Sequence, residues 1–145
     1  MSDSLIHSSR SSEENLLKVL LVEDSFAVAQ SFVFLMEDSG WQIVGPAPTI
    51  DKALDLIDQT PIDIAVLDVN LQGQIITPVA QKLQSLGIPF LFLTGYGDTD
   101  DMLPSHLNAY PMLYKPVDEQ ILVRTVTQLR DQANAQEGSD STPSS

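Results

Sequence analysis

The chain has 145 residues and a formal net charge of −13, because 7 Lys and Arg side chains stand against 20 Asp and Glu side chains. Nucleic-acid phosphates and anionic lipid surfaces repel such an acidic chain, so we expect neither direct nucleic-acid binding nor membrane binding. The sequence has 0 cysteines, which excludes disulfides, zinc sites built on thiolates and cysteine nucleophiles.

The two ends of the chain differ in composition from its middle. Residues 1–15 are rich in serine and charge, and residues 133–145 are mainly small and polar. Such segments bury too little apolar surface to offset the entropy lost on ordering, which predicts a mobile N-terminal tail and a disordered C-terminal tail. One domain over residues 16–132 then carries the function. The first residues lack the basic and apolar regions of a secretory signal, so we expect a cytoplasmic protein.

Between the tails, short apolar runs alternate with longer segments of helical spacing. In chain order the pattern predicts strand 19–22, helix 25–38, strand 42–44, a helix between Thr49 and Pro61, strand 62–67, helix 77–86, strand 90–93, a short helix after residue 98 that Pro104 interrupts, strand 112–114, and a last helix that starts near residue 118.

This alternation of strands and helices predicts an α/β fold with a doubly wound parallel sheet. Several strands lack polar alternation, as expected where helices cover both faces of a sheet. In such folds the ligand crevice lies at the carboxyl ends of the strands.

Polar residues follow four of the predicted strands: Glu23-Asp24, Asp68, Thr94-Gly95 and Lys115-Pro116. Taken one at a time, each fits an ordinary turn, helix cap or solvated lysine. Together they indicate one polar site at one edge of the sheet. Three carboxylates at one edge repel each other unless a proton or a hard divalent cation neutralises them, and Mg²⁺ suits an open set of oxygen ligands.

The chain resembles the receiver domains of two-component response regulators. The stretches that carry the resemblance are Val19-Leu20-Leu21-Val22-Glu23-Asp24, Ala65-Val66-Leu67-Asp68-Val69-Asn70-Leu71, Phe92-Leu93-Thr94-Gly95 and Tyr114-Lys115-Pro116. The similarity covers about residues 17 to 131 and implies a flavodoxin-like (βα)5 fold with a five-stranded parallel sheet. Gly45-Pro46-Ala47-Pro48 and Phe90 to Tyr96 are similar to stand-alone receivers of α-proteobacterial type.

The resemblance implies a role for each site residue. Asp68 would accept a phosphoryl group, and Thr94 and Lys115 would contact that group. Mg²⁺ would be held by Asp68, by Asp24 directly, by Glu23 through a metal-bound water and by the Asn70 backbone carbonyl. Gly95 would leave the approach to Asp68 open. Pro116 would follow a cis peptide bond that holds Lys115 in the pocket.

The chain departs from the family pattern at two positions. Many receivers place Tyr or Phe three residues before the lysine, where this chain has Met112, so Met112 with Tyr110 or Tyr114 becomes the candidate for the switch face. Gln72 precedes Gly73 where Pro-Gly is frequent, which predicts a more adjustable loop after Asp68.

The resemblance implies a single-domain response regulator, a signalling phosphoacceptor with self-catalysed phosphorylation and dephosphorylation at most, rather than a conventional enzyme. Its partners would be a sensor histidine kinase or histidine phosphotransfer protein and a downstream protein target. The responding surface would lie within residues 98–130, where Asp98, Asp100 and Asp101 fit a solvated loop. The chain would be a monomer or a phosphorylation-dependent homodimer.

Two other functions compete with this interpretation. A pseudo-receiver would bind its partner without phosphorylation, although the complete residue set speaks against it. A phosphatase of the haloacid-dehalogenase type also ends a strand in a nucleophilic Asp. It needs a second Asp two positions later as general acid, where this chain has Asn70.

Overall fold

The structure, a computed structural model, describes residues 16–95 and 103–141, with side chains described as far as residue 135. The elements are β1 (Lys18–Val22), α1 (Phe26–Asp38), β2 (Gln42–Ala47), α2 (Ile50–Gln59), β3 (Ile64–Asp68), β4 (Asn70–Leu71), β5 (Gln74–Ile75), α3 (Thr77–Ser85), β6 (Phe90–Thr94), a 3-10 helix (Ser105–Leu107), β7 (Met112–Tyr114) and α4 (Glu119–Ser141). No helix in these two stretches is both long and apolar enough to cross a membrane.

Five strands form one parallel sheet in the order β2-β1-β3-β6-β7. This order reverses beside β1, as in flavodoxin-like sheets, and it brings the carboxyl ends of β1 and β3 next to each other. The flavodoxin-like parallel fold predicted from the sequence is therefore confirmed.

Alternate residues of the central strands build a core on each face of the sheet. On one face Leu20, Leu67 and Phe92 pack with residues of α2 and α3. On the other, residues such as Val66 and Leu91 pack with α1 and α4. Because both faces are covered, the central strands read as uninterrupted apolar runs. A ligand site is therefore expected at the ends of the strands and not on either face of the sheet.

The loop after Asp68 contains two short strands that were not predicted. β4 and β5 pair antiparallel with Asn70 opposite Ile75 and Leu71 opposite Gln74. The two-residue turn between them, Gln72-Gly73, has φ angles of 52° and 87°, as a type I′ turn requires. The loop after Asp68 therefore forms a short hairpin, and its greater adjustability stays a prediction.

The other differences lie near residue 100 and at the C-terminal end. The helix predicted after residue 98 falls partly on residues 96–102, including Asp98, Asp100 and Asp101, which lie outside the described residues. From residue 103 onward that segment forms only the 3-10 helix. α4 continues to Ser141 and so includes residues 133–141, which composition assigned to a disordered tail. Gln132, Ala133 and Ala135 favour helix, and no proline or glycine interrupts the segment before Gly138.

Candidate functional site

Three carboxylates meet at the carboxyl ends of β1 and β3. Glu23 and Asp24 follow β1, and Asp68 is the last residue of β3. One carboxylate oxygen from each lies within 4.8 Å of the others, with Glu23 and Asp68 buried and Asp24 half-buried. The parallel pairing of β1 with β3 produces this cluster, because it aligns Val22 with Leu67 and so brings the two strand ends to one level.

Lys115 bridges two of these carboxylates. Its Nζ donates to Asp68 Oδ2 at 2.8 Å and to Glu23 Oε1 at 3.0 Å. The lysine follows β7 two strands away from Asp68, and its backbone N–H donates to the Thr94 carbonyl at 2.9 Å. The ammonium therefore reaches across the end of β6 to the middle of the sheet, where its charge partly neutralises the two buried acids.

Glu23 is fixed from the α1 side as well. Its Oε2 accepts the backbone N–H of Ser25 at 3.1 Å, and its own N–H donates to the Ala47 carbonyl of β2 at 3.0 Å. The N-cap of α1 is Ser25, whose hydroxyl oxygen accepts the N–H of Val28. Capping by Glu23 or Asp24 is thus not what places these two acids at the strand end.

The electrostatics of the cluster appear in two pKa shifts. Burial raises the pKa of Glu23 from 4.5 to about 7, reinforced by the negative charge of Asp68 and opposed by the hydrogen bonds from Ser25 and Lys115. Burial acts to lower the pKa of Lys115, but its hydrogen bonds to Asp68 and Glu23 outweigh burial and raise that pKa above 10.5. The ammonium is therefore charged at neutral pH, whereas Glu23 readily takes up a proton.

The second oxygen of Asp68 is oriented by the following chain. Asp68 Oδ1 accepts the backbone N–H of Asn70 at 3.3 Å, so the two carboxylate oxygens face the hairpin and Lys115 respectively. The Asn70 side chain in turn accepts the N–H of Gly73 at 2.8 Å. Asn70 thus lies between Asp68 and the hairpin turn.

The predicted phosphoryl-contacting residues border the same cluster. Thr94 ends β6 with 4% of its surface exposed, and Gly95 follows it. The Lys115-Pro116 peptide bond is cis, as the resemblance implies. Glu23, Asp24, Asp68, Thr94 and Lys115 all lie at the carboxyl edge of the sheet, and their individual roles stay predictions.

The candidate switch-face residues Tyr110, Met112 and Tyr114 lie in three different surroundings near β7, and their role in a switch stays a prediction. Tyr110 stacks on Phe90 with ring centroids 3.9 Å apart. Phe90 begins β6 and Thr94 ends it, so Tyr110 lies about 13 Å along the sheet from Thr94. Tyr114 pairs with Thr94 in register and is 64% exposed, whereas Met112 pairs with Phe92 and packs against the core. The structure does not bring Tyr110 to the site.

The donor set fits a hard divalent cation. Glu23, Asp24 and Asp68 offer only carboxylate oxygens, and Asp24 keeps one side of the cluster accessible to solvent. Mg²⁺ prefers oxygen ligands and retains several waters, which matches an open group of acids better than a closed cage.

Two contributors to this geometry were not predicted from the sequence. Ser25 orients Glu23 through its backbone N–H, and Gly73 fixes the Asn70 side chain. Ser25 carried a detectable signal, because serine before a helical segment is a common N-cap. Gly73 carried a weaker one, because Gln-Gly marks a type I′ turn less strongly than Asn-Gly or Asp-Gly.

The family model of the response regulator receiver domain matches residues 19–127. The chain belongs to the response regulator receiver domain family. Receiver domains are the phosphoacceptor modules of two-component signalling, so the family predicted from the motifs is confirmed. The matched range contains β1 from Val19 onward, every element from α1 to β7, the beginning of α4, and every residue of the carboxyl-edge site.

Two solved structures of receiver-type proteins resemble this chain. The solution structure of SdrG from Sphingomonas melonis Fr1 is 35% identical, with a TM-score of 0.69 over 79% of this chain and 96% of that chain. A CheY-like receiver domain protein from Methanospirillum hungatei JF-1 has a TM-score of 0.75 at 24% identity, over 84% of this chain and 99% of that chain, and supports the fold alone.

Among curated proteins, the sensory transduction protein LytT of Bacillus cereus is 28% identical over 83% of this chain and 50% of its own length. The transcriptional regulatory protein BtsR of Escherichia coli is 27% identical over 84% of this chain and 52% of its own length. The receiver domain described here therefore spans about half the length of the curated relatives that it matches.

Proposed function

We propose that this receiver domain is a phosphorylation-controlled switch in which Asp68 accepts a phosphoryl group from the phosphohistidine of a sensor histidine kinase or a histidine phosphotransfer protein. The observation that carries the proposal is the setting of the Asp68 carboxylate: Lys115 Nζ lies 2.8 Å from Oδ2, and two further carboxylates lie within the same cluster. Such a setting supplies both a nucleophile and the positive charge that a transferred phosphoryl group needs.

The transfer step is an in-line displacement at phosphorus. An oxygen of Asp68 forms the new O–P bond, the P–N bond breaks, and its electron pair returns to the imidazole nitrogen of the donor histidine. The product is an acyl phosphate, a mixed anhydride of Asp68. Lys115 then pairs with a phosphoryl oxygen in place of Asp68 Oδ2, and Thr94 donates a hydrogen bond to another oxygen of the group.

Asp24, Asp68 and the Asn70 carbonyl would hold Mg²⁺, with Glu23 acting through a metal-bound water. The ion supplies charge neutralisation for the equatorial phosphoryl oxygens. The residues of this chain do the remaining work: Glu23 and Lys115 orient each other, Asn70 orients Asp68, and Gly95 leaves the approach to Asp68 free of a side chain.

The proposed output is a change in protein binding or the onward relay of phosphate, in the cytoplasm. A second solution structure of SdrG, 34% identical to this chain, shows the BeF3-activated conformation of that protein. The likeness to SdrG supports a conformational switch of that kind here. In the proposed chemistry each chain accepts one phosphoryl group, so the chain acts as a phosphoacceptor. Its own residues assist phosphorylation and dephosphorylation of Asp68.

Incubation with acetyl phosphate and Mg²⁺ tests the proposal without a partner kinase. We expect one phosphoryl group per chain, sensitive to hydroxylamine, lost in Asp68→Asn and lost when EDTA removes the metal. Asp118→Asn is the matched control, because Asp118 caps α4 outside the carboxylate cluster. Undiminished labelling of Asp68→Asn would overturn the assignment.

A further inference from the structure

The β4–β5 hairpin directly follows Asp68 and is anchored to the body of the domain on both sides. The Val69 N–H donates to the Leu93 carbonyl at 2.9 Å, and the Val69 carbonyl accepts the Ile76 N–H at 2.9 Å. Val69, Leu71 and Ile76 are almost fully buried and belong to the core beneath α2 and α3. The base of the hairpin is therefore part of the rigid sheet.

The tip of the hairpin is closed by one side chain. Asn70 Oδ1 accepts the Gly73 N–H at 2.8 Å, across a turn in which Gln72 adopts a φ of 52°. Positive φ is unfavourable for glutamine, so the turn residues alone close this hairpin poorly. The Asn70 side chain adds a hydrogen bond across the turn, beside the backbone pairing of Leu71 with Gln74.

The same residue touches the acceptor through its main chain. The Asn70 N–H donates to Asp68 Oδ1 at 3.3 Å, so the Asn70 backbone is one of two groups that orient the Asp68 carboxylate, the other being the Lys115 ammonium. A network in which a second residue orients a metal-binding carboxylate commonly controls metal affinity by about 10- to 100-fold.

We propose that the Asn70 side chain is a positioning residue: by closing the β4–β5 hairpin on Gly73, it fixes the Asn70 backbone and thereby the orientation of the Asp68 carboxylate for Mg²⁺ and the phosphoryl donor. This inference rests on the proposed function, since it assigns Asp68 as acceptor. The side chain acts through the backbone and needs no contact of its own with the metal or the phosphoryl group.

Three variants of the full chain test the inference. Asn70→Ala removes the bond to Gly73. Asn70→Ala combined with Gln72→Asn restores the turn from outside the site, because asparagine adopts positive φ far more readily than glutamine. Gln74→Ala is the matched control, since it removes an exposed amide side chain from the same hairpin and leaves the turn intact.

Two measurements separate positioning from general destabilisation. Calorimetric titration with Mg²⁺ gives the metal affinity, and amide hydrogen exchange at Gly73 reports closure of the hairpin. We expect Asn70→Ala to exchange faster at Gly73 and to bind Mg²⁺ about tenfold more weakly, with the double variant recovering much of both losses and Gln74→Ala resembling the wild type.

The inference is overturned if Asn70→Ala loses protection at Gly73 but binds Mg²⁺ within twofold of the wild type, or if Gln72→Asn restores protection without restoring affinity. Either result would mean that the hairpin and the carboxylate are independent. Failure of the proposed function looks different, because the wild type itself would then remain unlabelled at Asp68.

Discussion

Glu23 carries the clearest pH signature of the site. Because burial raises its pKa to about 7, a proton on the Glu23 carboxyl group competes with the Mg²⁺ that we propose for the cluster. As the pH rises toward about 7, we expect the Kd for Mg²⁺ to fall by up to about tenfold per pH unit. Above about pH 7 the Kd should level off. Calorimetric titration from about pH 6 to about pH 8 checks this. Glu23→Gln should flatten the profile, and a wild-type profile without a bend contradicts the assignment.

The same pKa fixes the sign of a stability effect in the Mg²⁺-free protein. Glu23 binds its proton more tightly in the folded chain, at about 7, than in the unfolded chain, at 4.5. Its contribution to the free energy of unfolding is thus present below the lower value and is lost as the pH rises to the higher one. Lys115, whose pKa is also raised, keeps its contribution across this window and loses it only above 10.5.

Lys115→Met tests the bridge between the two buried acids. The substitution keeps most of the side-chain volume but leaves Glu23 and Asp68 without their shared donor, and we expect a loss of ~2 to 3 kcal/mol in the free energy of unfolding at neutral pH. Lys82→Met is the control, because the Lys82 bridge to Asp58 is exposed and such pairs contribute ~0 to 1 kcal/mol. Urea unfolding measures both, and equal losses would contradict a special role for Lys115.

At the residue scale the sequence predicted which side chains meet but not how they bond. Glu23 directly follows an apolar strand, and Asp68 and Thr94 each end one, so the three residues lie at one edge because the carboxyl ends of parallel strands coincide. The double hydrogen bond of Lys115 depends on the tertiary reach of a long side chain, which no local pattern encodes. The stacking of Tyr110 on Phe90 is equally non-local, and it separates Tyr110 from Thr94.

At the element scale, the bulge between β1 and β2 offers a direct test. Gly45 has a φ of +101°, and a Cβ there would meet the Ala47 nitrogen at 2.8 Å and the Leu21 oxygen at 2.9 Å. Gly45→Ala should therefore lower the free energy of unfolding by more than ~2 kcal/mol. Gly87→Ala, with a φ of +72° and open space around it, should cost about 1 kcal/mol.

Urea unfolding measures these two variants side by side, and equal losses would contradict the crowding at Gly45. The comparison also bears on the site. The Ala47 carbonyl, two residues beyond Gly45, accepts the N–H of Glu23, so a shift of this bulge moves one acid of the carboxylate cluster. We expect Gly45→Ala, where it folds, to bind Mg²⁺ more weakly than Gly87→Ala.

Elements were predictable where one local signal dominated. The uninterrupted apolar runs of β1, β3 and β6 identified the buried strands, and Thr49 before α2 identified a helix start that the structure confirms. The β4–β5 hairpin was missed because two-residue strands have too few positions to show alternation. No end was predicted for the last helix, only a C-terminal tail from residue 133, and α4 continues past that boundary to Ser141 because Ala133 and Ala135 favour helix.

At the scale of the whole molecule, the net charge of −13 acts on every anionic donor. We expect labelling by acetyl phosphate at saturating Mg²⁺ to speed up severalfold as ionic strength rises from about 0.01 M to about 0.15 M, because screening shortens from about 30 Å to about 8 Å. Phosphoramidate, which carries less net negative charge, is the control donor and should respond less. Faster labelling by acetyl phosphate at the lower ionic strength would contradict this expectation.

The sheet order and the family match place the chain among receiver domains. The central proposal for this domain is that Asp68 is the phosphoacceptor. The most direct test is to trap the product. Borohydride reduces an aspartyl phosphate to homoserine, which peptide mass spectrometry then locates. After incubation with acetyl phosphate we predict homoserine at position 68 with Mg²⁺ and none with EDTA. Homoserine at another aspartate, or a phosphate retained on a serine, threonine or histidine, would contradict the account.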